Sequence, residues 1–346
     1  MGMIINGAWS DADQVIKNGH CGRPKSVYDT DPPADCPDRL RVQPGRFHLL
    51  ASLNCPWSRR TLLVRSLKGL QRTVPLQVAG EPRPEGYTIA GGRPWPVPGT
   101  SRQIQHLHLL YTVANPAYTG RATEPVLWDS EARMIVSNES AVLMRLFDAA
   151  DHGEKGAITL APPRLRGGID ALNERVQRNL SNAIYRAGFA QRQDAYEEAA
   201  IAVFATLDYL AARFVRQRYL SGAVITETDW RLFPTLVRFD VVYHGHFKCT
   251  RRRLVDYPNL WSYARELYSW PGVAETVDFD AIRTCYYFND RAINPFGIIA
   301  LASDADWLAP HGRERFGPVH IALATGLEVA IDPIKLRDGR FAEEGT

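Results

Sequence analysis

The chain has 346 residues, 45% hydrophobic and 23% charged, a balance that excludes a disordered chain or an extended coiled coil and supplies a core that needs no metal or disulfide staple. Forty-one basic against thirty-eight acidic side chains leave a formal charge of +3, too little in a chain this long to demand nucleic acid or another polyanionic partner. No stretch approaches the roughly 18 apolar residues that cross a bilayer, and no basic segment followed by an apolar run opens the chain, so a cytoplasmic protein without a membrane partner is expected.

Residues 1–40 are polar and rich in Pro, Gly and Asp, and read as an irregular arm. Phe47 to Leu53 is an apolar run suited to a strand. Asn54-Cys55-Pro56-Trp57 interrupts it, and Thr61, Leu62, Leu63, Val64, Leu67 and Leu70 then recur at helical intervals. A second strand is expected over Arg72 to Val78. Residues 80–102 hold so many Gly and Pro that they read as a long loop, the wall of a site. A helix over Gln103 to Ala114 follows, then two hairpin strands in Glu124–Asp129 and Met134–Val136. Asn138-Glu139-Ser140 supplies polar residues for the start of a helix through Phe147. Residues 41–148 thus take the order βαβαββα.

Residues 149–170 form a Gly/Pro-rich linker, after which the strand signal gives way to helical periodicity over 171–317. Val203, Leu207, Leu210 and Phe214 form one stripe between Asp194 and Tyr219, widened by Phe204 and Ala211. Thr226-Glu227-Thr228-Asp229 offers a capping box ahead of Trp230, Phe233, Leu236 and Val237. A further helix runs from Tyr257 through Leu267. The fold class is α/β followed by an all-α bundle, with a mixed C-terminal extension at 318–346.

The five cysteines include no CxxC pair, which argues against a disulfide framework; Cys21 and Cys36 would pair only in an oxidising compartment. Cys55 lies where a strand meets a helix, and there unpaired N–H groups and the helix dipole favour a thiolate. Three positions on stands Ser58, so no resolving thiol is available within the turn, and a disulfide formed at Cys55 must be resolved by an external thiol. The plainer reading is a buried apolar cysteine. Arg59 and Arg60 either add positive potential or form a solvated helix face.

Asn54-Cys55-Pro56-Trp57-Ser58-Arg59-Arg60-Thr61-Leu62 resembles the active-site segment of the glutathionyl-hydroquinone reductases, the Xi-class or Omega-like glutathione transferases. The resemblance continues through Pro125–Asp129, Ile135–Ser140 and Tyr185–Ala190, then Thr226–Phe233, Leu236–Tyr243, His246–Cys249, Asp256–Leu260, Ile293–Pro295 and Pro310–Arg313. It implies an N-terminal thioredoxin-like domain, a glutathione-transferase-type helical bundle and a homodimer. It also implies that Cys55 attacks the glutathione sulfur of a glutathionyl-hydroquinone, with glutathione as cosubstrate restoring the thiol. Tyr185 and Tyr286 then stabilise the aromatic leaving group, although by themselves they read as core or interface tyrosines. Glu139 and Ser140, otherwise helix caps, hold the γ-glutamyl end of glutathione, while Trp57 and the backbone of Val126 line the peptide. Pro125 is implied to be cis.

Departures from the family pattern are Glu124 in place of a common valine, Cys285 in place of histidine, and Asn289-Asp290 in place of Ser-His. The Glu124 carboxylate either weakens anionic ligands or raises the Cys55 pKa, depending on its orientation. Cys285 reads as packed. His244, His246 and Cys249 lack a fourth ligand, so no metal is expected. Alternative functions are a glutathione-conjugating transferase, a thiol transferase or dehydroascorbate reductase, and a non-catalytic ligand- or partner-binding module.

Overall fold

Phe47, Leu49, Leu50 and Ala51 are buried, and this nearly continuous apolar run makes Phe47–Ala51 the central strand of a mixed sheet. Leu76–Gly80 lies parallel to it and Val126–Asp129 antiparallel. Met134–Ser137 extends the sheet on one side and Thr88–Ile89 on the other. The computed structural model describes residues 2–11, 16–17, 20–21, 26–151, 153, 156–333, 336–337 and 340–341, with backbone alone at 16–17, 20–21, 336–337 and 340–341. The side chain of Cys21 therefore lies outside the described residues. The chain divides into two units, Met1–Ile16 with Arg23–Asp151, and Lys17–Gly22 with His152–Thr346.

In the first unit, helices α1 (Cys36–Val42), α2 (Pro56–Leu67), α3 (Leu107–Ala114) and α4 (Ser140–Ala149) join the sheet in a thioredoxin-like order. The crossover through α2 is what allows two sequential strands to run parallel. Helix α2 packs against α4, burying Leu62, Leu63, Leu143 and Phe147. Leu50, Trp128, Leu107, Leu110 and Tyr111 belong to a separate core cluster that also takes in Ile4.

Several short strands occupy segments that read as irregular. Met3–Ile5 pairs with Ala8–Ser10, and Ile4 exchanges backbone hydrogen bonds with Gly120 at 2.8 and 2.9 Å, so the N-terminal arm is ordered in part. Thr88–Ile89 within the long 80–102 segment is an edge strand of the main sheet. Gln103–Ile104 pairs with Trp95–Pro96, which delays α3 to Leu107. Strands of two or three residues carry no readable periodicity, and only packing selects them.

The second unit contains α5 (Arg166–Val176), α6 (Asn182–Gly188), α7 (Gln193–Arg213), α8 (Glu227–Arg238), α9 (Pro258–Tyr268) and α10 (Phe279–Asn289). The Thr226–Asp229 capping box opens α8 as expected, and every residue of that helix is buried. Helix α5 begins inside the segment that read as a linker. Ile158–Thr159, from the same segment, pairs with Val319–Leu323, which in turn pairs with Glu328–Ile331. Linker and C-terminal extension thus form one small sheet. Among the described residues, no helix is long and apolar enough to cross a membrane.

A buried ionic knot ties the segment after α7 and the segment just ahead of the extension to α9. Glu266 on α9 accepts from Arg218 Nε and Tyr219 Oη, both at 2.6 Å, through one carboxylate oxygen, and from Arg313 Nε at 2.8 Å through the other. Burial and the neighbouring carboxylate push the Tyr219 phenol well above its ordinary range. Glu266→Ala strands two arginines in the interior and is expected to lower the unfolding free energy by about 3–5 kcal/mol; a denaturant midpoint equal to that of the parent chain would refute the role of the knot.

Candidate active site

Pro56 is the first residue of α2, where its fixed φ suits a helix and its missing N–H leaves no broken bond. Cys55 therefore becomes the capping residue, with φ −73° and ψ 128°, and its carbonyl accepts from Arg59 N–H at 3.0 Å. This sets its side chain at the positive end of the helix, the position that favours a thiolate. Ser58, standing where a resolving cysteine would be, is fully buried, and its hydroxyl accepts from the Ser52 N–H at 3.3 Å. The Ser52 hydroxyl in turn meets Asn54 Oδ1.

Two features of this turn differ from the sequence reading. Arg59 and Arg60 do not form a solvated face: both are buried, Arg59 Nη2 donating to the Leu53 carbonyl and the Arg60 guanidinium lying 4.6 Å from the centre of the Trp57 ring. Their long stems allow charge to be held inside by carbonyls and a ring face. Cys55 itself is enclosed, at 5% exposure, where the sequence argument asks for an open thiol.

The other residues of the first unit that were singled out sit on adjoining elements. Val126 pairs with Leu50 on the central strand, and the Glu124-Pro125 peptide that precedes it is cis. Glu139 caps α4, its carboxylate accepting from Ala141 N–H at 3.1 Å and from the Ser140 hydroxyl at 3.2 Å. Asn138, which read only as a polar residue at the start of a helix, has a further part. Its side-chain amide donates to Tyr111 Oη at 2.8 Å and Thr123 Oγ1 at 3.1 Å, fixing the loop before α4.

In the second unit, Tyr185 on α6 and Tyr286 on α10 lie a hundred residues apart in the chain yet share a hydroxyl–hydroxyl hydrogen bond of 2.5 Å. Phe247 stacks edge-on against both rings, with centroids 5.3 Å from Tyr185 and 5.8 Å from Tyr286. His246 turns away from any metal-like grouping to meet Asp290 at 3.1 Å, and burial pushes the Cys249 thiol up to about 12. Cys285 is packed within α10. Among the described residues, no group of three or more His, Cys, Asp or Glu is placed to hold a metal ion.

Residues 54–150 match the glutathione S-transferase N-terminal domain family, and residues 193–266 the glutathione S-transferase C-terminal domain family. Glutathionyl-hydroquinone reductase YqjG of Escherichia coli (strain K12) is 42% identical over 328 residues, which are 92% of this chain and 100% of the relative. This chain belongs to the glutathione transferase superfamily. It is closely related there to the glutathionyl-hydroquinone reductases and the Xi-class transferases. The Xi-class transferase from Natrialba magadii superposes with a TM-score of 0.82 at 36% identity, covering 91% of this chain and 97% of that one. The glutathione-bound structure of YqjG has a TM-score of 0.74 at 44% identity, covering 79% and 89%.

In this transferase the phenol pair depends on close packing at Gly188, where an added Cβ would lie 2.4 Å from a Phe247 ring carbon. Gly188→Ala is expected to displace that ring and cost about 1–3 kcal/mol of stability. Unfolding by denaturant measures the cost, and a loss near zero would mean that the ring is not held at this point.

Proposed function

We propose that this chain is a glutathione-dependent enzyme that releases hydroquinones from glutathionyl-hydroquinones through a mixed disulfide on Cys55. The observation that carries the reading is a cysteine at the cap of α2 with Ser58, rather than a second thiol, three residues on. Such a sulfur can accept one thiol partner and must hand it to another.

The Cys55 thiolate attacks the glutathione sulfur of the conjugate. The bond from that sulfur to the ring carbon breaks, its electron pair passes to the ring, and the ring takes up a proton. The thiolate of a second glutathione then attacks the mixed disulfide, leaving as glutathione disulfide and restoring Cys55. On this reading the Tyr185 and Tyr286 hydroxyls donate to the ring oxygen as charge develops there. Glu139 and Ser140, at the start of α4, receive the γ-glutamyl end of the tripeptide, and Trp57 and the Val126 backbone line its length. The family relationship supports glutathione as the cosubstrate, YqjG having been solved with it bound. A homodimer belongs to the same proposal.

Cys55→Ser is expected to abolish hydroquinone release, assayed chromatographically, and the parent chain should gain the mass of one glutathione at Cys55 when offered the conjugate alone. Release that survives the substitution would reject the mechanism. Tyr286→Phe removes a donor without its ring and is expected to lower kcat by about 100-fold, with far less effect on the mass-detected capture of glutathione disulfide by Cys55. Equal losses in both assays would reject the role given to the phenol.

A further inference from the structure

Glu124 is the residue before cis-Pro125, and its side chain is 2% exposed. Neither of its carboxylate oxygens is held by a well-formed hydrogen bond, the Ser52 and Tyr87 hydroxyls being its nearest polar support. Such an arrangement is costly for a structural carboxylate, since burial with so little polar support penalises the charged form most. Its location gives it a purpose. Val126 pairs with Leu50 and Leu127 with Leu49; two further steps of that antiparallel register set Glu124 opposite Ser52. Ser52 belongs to the turn that carries Cys55, tied into it through the Ser58 hydroxyl and Asn54 Oδ1. The Glu124 carboxyl is therefore held behind the reactive turn, on the strand whose next residues approach the proposed glutathione backbone.

Burial drives the Glu124 acid up to about 8, opposed by the positive charge of Arg83 and by the Ser52 and Tyr87 hydroxyls, and reinforced by the negative Glu81. Arg83 does not serve it alone, because its Nε lies 2.7 Å from Glu81. These groups, from the turn after the central strand and from the 80–102 segment, are the charged and titratable neighbours that face it.

We propose that Glu124 sets the charge of the Cys55 subsite: as a neutral acid it leaves the turn receptive to an anionic thiol ligand, and once it loses its proton it repels one. The inference rests on Cys55 being the sulfur that receives glutathione, a tripeptide carrying net negative charge at neutral pH. An apolar side chain at this position would give a subsite without that dependence. The role is electrostatic, since a carboxylate adds a second negative charge behind a turn already adapted to hold a thiolate.

The test uses the full chain and two small reagents for Cys55, anionic iodoacetate and neutral iodoacetamide, with labelling followed by peptide mass from about pH 6.5 to about pH 9.5. Both reagents consume the same thiolate, so the ratio of their rates cancels its abundance and reports local charge. The native ratio is expected to fall by about threefold or more as pH rises through the ionisation of Glu124, the equivalent of roughly half a pKa unit of repulsion. Glu124→Gln and Glu124→Val should each flatten it, and Glu124→Asp should restore the fall. A flat native ratio, or a fall that persists in both neutral variants, overturns the inference while leaving the glutathione reading intact. Labelling of Cys55 no faster than that of the buried Cys249 would instead remove the reading on which it rests.

Discussion

A helix that begins at a proline directs its first free N–H groups toward whatever residue caps it, and in this chain that residue carries sulfur. The surrounding first unit maintains this relation. The central strand is buried along nearly all its length and ends shortly before the turn, so the position of Cys55 follows from the burial of Phe47 to Ala51. Val126–Asp129 pairs along the same strand and brings a cis-proline and a carboxyl beside the same turn. Arg59 and Arg60 are drawn inward onto the Leu53 carbonyl and the Trp57 ring instead of forming a solvated face.

The second unit solves a different problem, that of holding two phenols from distant helices within hydrogen-bond distance. Phe247, Tyr243 and Phe189 surround Tyr185 with rings, and a glycine on α6 lets Phe247 approach. Aromatic packing of this kind fixes ring planes as well as positions. The His246–Asp290 contact fastens the end of α10 within the second unit. Glu266 gathers Arg218 and Arg313 in the interior, so that the segment after α7 and the segment ahead of the C-terminal extension are both held to α9 by buried charge.

Glu124 joins fold to chemistry in an unusual way. A residue at this point of a thioredoxin-like sheet needs only a backbone to meet a peptide ligand, so its side chain is free to vary without loss of the fold. Here it is a buried carboxyl with little hydrogen-bond support. Its protonation, more than its shape, is what the neighbouring turn experiences.

The succession of strands and helices from Phe47 to Phe147, the capping box of α8 and the place of Cys55 at the start of a helix were legible in the chain itself, because apolar periodicity, a cap pattern and a cysteine before proline are local signals. So was the family, from motifs spread over both units. The two-residue strands at Thr88–Ile89 and Gln103–Ile104, and the sheet that unites Ile158–Thr159 with Val319–Leu323, were not, since segments this short carry no periodicity and exist only through the strand they pair with, which for Ile158–Thr159 lies far along the chain. The same holds for the inward turn of Arg59 and Arg60, the contact of Tyr185 with Tyr286, the gathering of two arginines on Glu266, and the burial of Glu124. Sequence determined which groups were available and which segments were amphipathic; tertiary packing decided which charges left water and what they met there, because desolvation depends on neighbours that no local pattern specifies.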